Sequence, residues 1–210
     1  HRWIRDSLRA NKPYDRFARE LLTSSGSNFR VPPVNFYRAV QGKSPEAIAE
    51  VTALTLMGVR ISKWPENRRS GLATFFSRIA HKGTAEWKEE IVCLDPAPTD
   101  SVDAVYPDST WIRIEPGVDP RRCFADWLIT GDNLWFSRNI VNRIWSWMMG
   151  RGIIHEPDDI RDDNPPSIPE LLAHLQIELV ESKYDLKHMF RIIANSQTYQ
   201  QSPVARSDDP

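Results

Sequence analysis

The chain has 210 residues, of which 40% are hydrophobic and eight are tryptophan, and this is enough apolar surface for a packed core. Its formal net charge is −1, with 27 Lys and Arg residues against 28 Asp and Glu residues. This balance argues against a general nucleic-acid-binding protein and against an acidic disordered chain. No apolar run approaches the roughly 18 residues that a membrane span needs, and no signal peptide is visible.

Helix signals dominate the first part of the chain. Pro13 suits a first helical position, and the apolar spacing after it predicts a helix that ends at SSGSN. The following RVPPVNF is predicted to be an extended loop, because residues before proline avoid the helical region. Ser44 and Pro45 predict the start of another helix, which runs to Gly58. A further helix is predicted from the spacing of Leu72, Phe75, Phe76 and Ile79.

The pattern changes between residues 83 and 117. EEIVCLD and STWIRIE each have the composition of a strand, and the intervening PAPTDSVDAVYPD is predicted to be a loop. A short β-hairpin or two-stranded sheet is therefore expected in this segment.

The remainder of the chain predicts four helix boundaries. Asp119 and Pro120 predict the start of a helix, and NLWFSRNIVNRIWSWMM predicts a long helix that ends at Gly150. SIPE, residues 167–170, matches a capping box at the start of the next helix. Asp185 predicts the cap of the last helix, and the last two helices are expected to form a helical hairpin.

These elements predict a mainly α fold with two small helical subdomains joined by a short β-hairpin or two-stranded sheet. The expected boundaries are residues 1–82 for the N-terminal helical domain, 83–117 for the β-containing connector and 118–206 for the C-terminal helical domain.

The segment 155–163, called the acidic loop below, is the first candidate for chemistry. Clustered carboxylates suit a hard cation, and the candidate metal ligands are Glu156, Asp158, Asp159 and Asp162. Asp158, Asp159 and His155 are candidates for acid–base catalysis. The spacing does not match an EF-hand, and we favour a solvated loop tied by Arg161 and by helix N-termini.

A polar helix face is the second candidate. Asn139, Asn142 and Arg143, with Trp145 beside them, form a candidate binding site for an anion or a sugar hydroxyl. The favoured alternative is that Asn142 and Arg143 bond the backbone and carboxylates of the following loop, because buried polar side chains mostly serve backbone groups.

The two cysteines, Cys93 and Cys123, form no CxxC pair and are predicted to be buried side chains, with a disulfide left open for an exported chain. The sequence contains no GxSxG nucleophile motif and no phosphate-binding glycine motif.

Several motifs carry a family resemblance. In the second half these are ADWL, NRIW followed by GRG, EPDD, NPPSIPELL and SQTYQ; in the first half they are NKPYDRFARELL, NFYRA, LMGVRI and FFSRIA. The second half resembles one of two paired planctomycete-type domains of unknown function, and the first half resembles its partner domain. The resemblance implies an exported, periplasmic or cell-surface protein, commonly joined to a cytochrome c domain, with no established activity.

The resemblance also raises a question about GVRISKWPENRRSG, residues 58–71. Relatives carry a CxxCH haem-attachment segment between the motifs LGVR and FF, whereas here Ser62 is followed directly by Lys63. Either this chain lacks the site, or a segment between Ser62 and Lys63 is absent from the sequence; we lean toward the second, and expect haem c only in that case. A second absent segment within 96–106 is left open. Ile168 stands where relatives often carry histidine or asparagine, which puts any site using that side chain in doubt.

The leading expectation is an exported, non-catalytic binding, assembly or accessory subunit of a larger complex. Its partners would be other protein subunits or domains, with a cytochrome as one candidate and no nucleic acid. The alternatives are a c-type haem redox protein and a carbohydrate-active enzyme that uses the acidic loop. Exposure of Trp64, Trp87, Trp111 or Trp147 would favour an interface.

Overall fold

A computed structural model describes residues 2–97 and 100–201. Within these residues the fold is mainly α, as predicted, with short antiparallel strands. The helices are α1 (Arg2–Arg9), α2 (Tyr14–Thr23), α3 (Asn35–Ala39), α4 (Pro45–Thr52), α5 (Glu66–Thr74), α6 (Pro120–Leu128), α7 (Leu134–Met149), α8 (Pro169–Glu181), α9 (Leu186–Ala194) and α10 (Gln197–Gln200). The strands are β1 (Gly26–Ser27), β2 (Ile79–Gly83), β3 (Glu90–Leu94), β4 (Val102–Val105) and β5 (Trp111–Ile114). In the described part of the chain, no helix is long and apolar enough to cross a membrane.

The helix signals around Ser44 are confirmed. The Ser44 hydroxyl accepts the Ala47 N–H at 3.2 Å, and α4 begins at Pro45. The helix continues as a π-helical turn, Ala53–Met57, and ends at Gly58, which has a left-handed backbone with φ of 68°. Pro13, by contrast, is the residue before α2 and not its first helical residue.

Two predictions in the first half are wrong. RVPPVNF is not an extended loop, because Pro32–Val34 forms a 3-10 turn that leads directly into α3. The helix predicted through Ile79 ends at Thr74, and Ile79 begins β2. Both Phe75 and Phe76 are fully buried in the turn between them. The same apolar spacing would put these residues on one face of a helix. Here it arises because the end of α5, the following turn and the start of β2 all contribute side chains to the core.

The predicted hairpin is also wrong in its pairing, although both predicted strands exist. β3 lies between β1 and β2 in a three-stranded sheet, with Ala80 opposite Cys93. β5 pairs with β4 in a separate two-stranded sheet, with Ala104 opposite Ile112. The sequences of β2 and β4, IAHKG and VDAV, are too short and too weakly alternating to predict a strand.

The caps of the second half are confirmed at two helices. Asp119 accepts the Arg121 N–H at 3.0 Å at the start of α6, and Asp185 accepts the His188 N–H at 2.9 Å at the start of α9. Gly150 ends α7 in the left-handed conformation. The predicted helical hairpin is formed by α8 and α9, which pack against each other.

The predicted capping box at α8 is wrong. Ile168 holds the cap position without a side-chain hydrogen bond. Ser167 instead donates both its N–H and its hydroxyl to the Ile153 carbonyl, at 2.8 and 3.0 Å. The serine is therefore used to fix the preceding loop and not the helix.

The core is a single cluster that draws on both predicted subdomains. α2 packs on α6, and α7 packs on the π-helical turn as well as on α8 and α9. The domain boundaries stay a prediction, and the C-terminal one, 206, lies outside the described residues. Cys93 and Cys123 are both free, and both are half-buried where the sequence predicted buried side chains.

Candidate functional site

The segment after α7 is fixed to that helix by a reciprocal amide contact. Asn142 is fully buried; its side-chain amide donates to the Ile154 carbonyl at 2.9 Å and accepts the Ile154 N–H at 2.9 Å. Gly152 permits this approach, since a Cβ there would lie 2.3 Å from the Ile154 carbonyl oxygen. Asn142 therefore serves the backbone of the following loop, as the favoured alternative predicts.

Arg143 joins three parts of the molecule. Its Nη1 and Nη2 donate to the carbonyls of Thr55 and Leu54 at 2.7 and 2.8 Å, and its Nε donates to Asp158 Oδ1 at 2.7 Å. The carbonyls belong to the π-helical turn, where the end of a helix presents its acceptors. Arg143 thus binds the acidic loop to the first half of the chain. Its charge also opposes the burial that raises the pKa of Tyr14 to about 12.

Asn139 completes this contact between α7 and the π-helical turn. The side chain is fully buried and its amide N–H donates to the Thr55 carbonyl at 2.9 Å. Its Oδ1 has no hydrogen-bond partner among the described residues and lies against Gly58, where an added Cβ would approach it to 2.7 Å. Because Gly58 also has a positive φ, any larger residue would strain the backbone and push against Asn139.

The acidic loop begins with a cis peptide bond between His155 and Glu156, and most of its carboxylates have protein partners. Asp159 and Asp163 each lie 3.0 Å from the Arg161 guanidinium, and Glu156 lies 3.3 Å from the His155 ring. The Ile160 N–H donates to the Gly58 carbonyl at 2.9 Å, so the loop is bound to residues 58–71 as well as to α7. The expected tie by Arg161 is present.

The predicted acid–base and metal residues do not converge on one point. Asp158 is paired with Arg143, whereas Asp159 is paired with Arg161. Among residues 2–97 and 100–201 there is no group of three or more His, Cys, Asp or Glu side chains arranged to hold a metal ion. The geometry thus adds no support to a catalytic or metal site at Glu156, Asp158, Asp159 and Asp162, and those roles stay predictions.

An open cleft lies beside the acidic loop. Side chains from two segments, 59–68 and 156–163, line it together with Trp135, and its volume is about 650 Å³. The first segment contributes the cations Arg60, Lys63 and Arg68. The second contributes four carboxylates and one further cation: Glu156, Asp159, Asp162, Asp163 and Arg161. A smaller hollow of about 360 Å³ shares Arg60 and Glu156 with it and is bordered by Trp147. We call the two together the Arg60 cleft.

Two arginines near the cleft are partly desolvated. Burial lowers the pKa of Arg68 and of Arg138, and the negative charge of Asp162 opposes this lowering at both guanidinium groups. Arg68 lies 3.7 Å from the centre of the Trp64 ring and donates from Nε to the Pro107 carbonyl at 2.9 Å. Asp162 is in no ion pair within the described residues, so its charge is available to the cleft.

The sequence did not single out Arg68 as a site residue, and it named Trp135 only as one of three tryptophans, 135, 145 and 147, on which a carbohydrate could stack. Arg68 lies in a basic segment without a motif, and Trp135 is one of several aromatic residues in α7. Trp145, which the sequence offered for binding, is half-buried and packs against the core, as Trp135 also does, and its binding role stays a prediction. The only available signal for the cleft was the basic, apolar-poor composition of residues 58–71 opposite the carboxylates of 155–163.

A second buried arginine was also missed. Arg121 is 1% exposed; it donates to the carbonyls of Ser24 and Thr23 at 2.9 and 3.3 Å and pairs with Asp119 at 2.9 Å. These carbonyls end α2, so Arg121 ties α6 to the first half. A charged residue next to a helix cap normally faces water, and the sequence carries no sign of its burial.

The junction between Ser62 and Lys63 is part of a regular turn. Ile61–Lys63 forms a 3-10 turn in which the Trp64 N–H donates to the Ile61 carbonyl at 2.9 Å. Ser62 and Lys63 both line the Arg60 cleft. The haem expectation stays a prediction, because it concerns a segment outside this sequence. The second segment left open, within 96–106, includes residues 98 and 99, which lie outside the described residues.

Comparison with known proteins links the second half of the chain to a protein family. The sequence model of a family described as PSD1, a protein of unknown function (DUF1553), matches residues 120–210, which is less than half of the chain. The matched part includes α6, α7, Arg143 and the acidic loop. No curated protein and no solved structure matches the chain.

Proposed function

We propose that this chain is a non-catalytic binding or assembly domain that holds a polypeptide segment of a partner in the Arg60 cleft. One observation carries the proposal. Asn142, Arg143 and Asp158, which could have formed part of a reactive centre, fix the acidic loop to the protein, whereas the cleft beside them stays open.

The composition of the cleft suits a polypeptide. It has basic side chains from residues 59–68, carboxylates from the acidic loop, and tryptophans at positions 64, 135 and 147. Charged groups of both signs around aromatic residues are typical of protein interfaces, where they set orientation and exclude wrong partners. Trp147 at the edge of the cleft is 65% exposed, and its position beside the charged side chains, more than its exposure, distinguishes it from Trp87 and Trp111, which are 79% and 69% exposed.

The proposed setting is a larger complex outside the cytoplasm, with a cytochrome as one candidate partner. This part of the proposal depends on the resemblance of both halves to planctomycete-type domains. The family matched by residues 120–210 is one of unknown function, so its description adds no reaction.

The test compares affinity-tagged variants expressed in the source organism. Arg60→Glu and Trp147→Ser change exposed side chains of the cleft, and Trp87→Ser is the matched control, because Trp87 is 79% exposed in the turn between β2 and β3. We expect the wild-type chain and Trp87→Ser to purify with a stoichiometric partner, measured by native mass spectrometry, and both cleft variants to lose it. A chain that purifies alone, or a complex insensitive to both cleft variants, contradicts the proposal.

A glycan is the second candidate for the cleft, as substrate of a carbohydrate-active enzyme. The observation that favours it is Asp162, a carboxylate of the cleft without an ion-pair partner among the described residues, near tryptophans on which sugar rings can stack. Incubation of the purified chain with polysaccharides would separate the candidates. Release of reducing ends that Asp162→Asn abolishes, with folding unchanged, would support the enzyme and contradict the binding domain.

A further inference from the structure

Helix α1 has one side bound to the protein and one side free. Trp3 stacks on Phe17 with ring centres 4.5 Å apart, and Ser7 is buried. The Ser7 carbonyl accepts the Lys12 N–H at 2.9 Å, which holds the end of α1 close to the start of α2. The position of α1 on the protein is therefore set by its Trp3 and Ser7 side.

The opposite side of α1 exposes two large apolar residues. Ile4 is 47% exposed and Leu8 is 54% exposed, and their spacing of four places them one above the other on the helix. They line a hollow of about 720 Å³ between α1 and the start of α9. Lys187 of α9 borders it and donates to the Arg9 carbonyl at 3.0 Å. The hollow thus has an apolar strip, formed by Ile4 and Leu8, and is bounded on one side by Lys187.

All charged side chains that border this hollow are basic, within the described residues: Arg2, Arg5, Arg9 and Lys187. Arg5 is paired with Asp6, whose oxygen lies 3.7 Å from the Arg5 Nε, and both side chains of this pair are more than half exposed. Such a pair contributes little. The chain as a whole has a net charge of −1, so the concentration of positive charge is a local property of this surface.

We infer that this surface, the α1–α9 hollow, binds an acidic amphipathic segment of another protein. Leucine-like side chains of the segment would cover Ile4 and Leu8, and its carboxylates would meet the four basic side chains. This inference rests on charge complementarity and on apolar exposure alone. It does not depend on the Arg60 cleft, which is formed by other residues.

Two other kinds of partner fit the surface less well. A membrane-binding helix needs a long apolar face, whereas α1 has eight residues and two exposed aliphatic side chains. A nucleic acid would gain nothing from the apolar strip between the basic side chains.

The experiment uses the whole chain and three synthetic peptides. The first is an amphipathic helix of Glu and Leu, the second has the same charge but Ser in place of Leu, and the third has Lys in place of Glu. Binding is measured by fluorescence anisotropy at low and high salt, and in parallel with vesicles of anionic phospholipid. The chain variants are Ile4→Ser combined with Leu8→Ser, and Arg5→Glu combined with Arg9→Glu. The matched controls are Ile177→Ser, a residue 56% exposed on α8, and Arg122→Glu on α6, with circular dichroism to confirm folding.

We expect the Glu and Leu peptide to bind best, salt to weaken it, and each double variant to weaken it by about tenfold or more, with no effect of the controls. Absence of binding by this peptide, equal binding of the Glu and Ser peptide, or preferential binding to vesicles would each overturn the inference. None of these results alters the test of the Arg60 cleft.

Discussion

Arg121 and Arg143 perform the same structural task in two different surroundings. Each lies in the second half and donates to two backbone carbonyls of the first half, Arg121 at the end of α2 and Arg143 at the π-helical turn. Each is balanced by one aspartate. The side chains of the Arg121 pair are 1% and 11% exposed, whereas those of the Arg143 pair are 18% and 42% exposed.

The difference shows where a binding surface can form. Around Arg121 the guanidinium is enclosed, because the Asp119 carboxylate, the Ser25 hydroxyl and the Tyr37 ring surround it. Around Arg143 the same kind of contact lies at the edge of the Arg60 cleft. The buried pair therefore joins the two halves inside the protein, and the more exposed pair also shapes a surface.

The largest effect is expected for Arg121→Met. The substitution leaves Asp119 and two carbonyls of α2 without their partner in a buried place, and the expected loss is about 3–5 kcal/mol of unfolding free energy. Urea denaturation measures it, with the exposed neighbour Arg122→Met as control. A loss equal to that of the control would mean that the buried pair does not join the two halves.

Arg143→Met is expected to be less damaging. It removes the same number of carbonyl contacts, but water can reach the vacated site, so the expected loss is about 1–3 kcal/mol. The same denaturation experiment applies, with Arg161→Met as a control that removes only surface ion pairs. If Arg143→Met lowers the unfolding free energy by more than Arg121→Met does, burial does not make the Arg121 pair the more stabilising of the two.

Asp158→Asn should cost less again. Its carboxylate is 42% exposed, and an exposed ion pair contributes less than about 1 kcal/mol. The equivalent change in the buried pair is Asp119→Asn. It keeps the helix cap but leaves the buried Arg121 guanidinium without a counter-charge, so we expect a clearly larger loss of unfolding free energy there. Equal losses of unfolding free energy for Asp158→Asn and Asp119→Asn would show that burial does not set the contributions of the two ion pairs apart.

His81 is a basic side chain that is partly buried without such a pair of backbone and aspartate contacts, and it should make stability depend on pH. Burial lowers the pKa of His81, and the positive charge of Lys43 lowers it further. Together they outweigh the opposing effect of Glu90, whose Oε1 lies 3.2 Å from the His81 Nδ1. The unfolded chain therefore binds a proton more readily than the folded one, and stability should fall as pH drops below about 6.5.

Replacement by His81→Gln should flatten this dependence. Urea denaturation between about pH 7 and pH 5 checks it, and the slope due to this residue cannot exceed about 1.4 kcal/mol per pH unit. An unchanged slope in the variant would assign the dependence to other groups.

The sequence predicted the elements whose signals are local. The caps at Ser44, Asp119 and Asp185 and the helix end at Gly150 depend on residues within a few positions, and all are present. The strand partners were missed because pairing depends on distant segments: β3 pairs with β2 and not with β5. The Ser167 capping signal was overridden by the carbonyl of Ile153, a tertiary contact.

The candidate site was predicted in part for the same reason. Asn142, Arg143 and the acidic loop adjoin in sequence, and their mutual contacts could be expected. The carbonyls of Leu54 and Thr55 and the cleft residues Arg68 and Trp135 come from other regions of the chain. No short sequence motif predicts that these distant residues lie together.

Amide hydrogen exchange tests most directly whether the acidic loop is a fixed part of the scaffold. The reporters are the N–H groups of Ile154 and Ile160, which donate to Asn142 and to the Gly58 carbonyl. We predict slow exchange of both in the wild-type chain, and much faster exchange in Arg143→Met while the amides of α9 stay protected. Fast exchange of both amides in the wild-type chain would contradict this account.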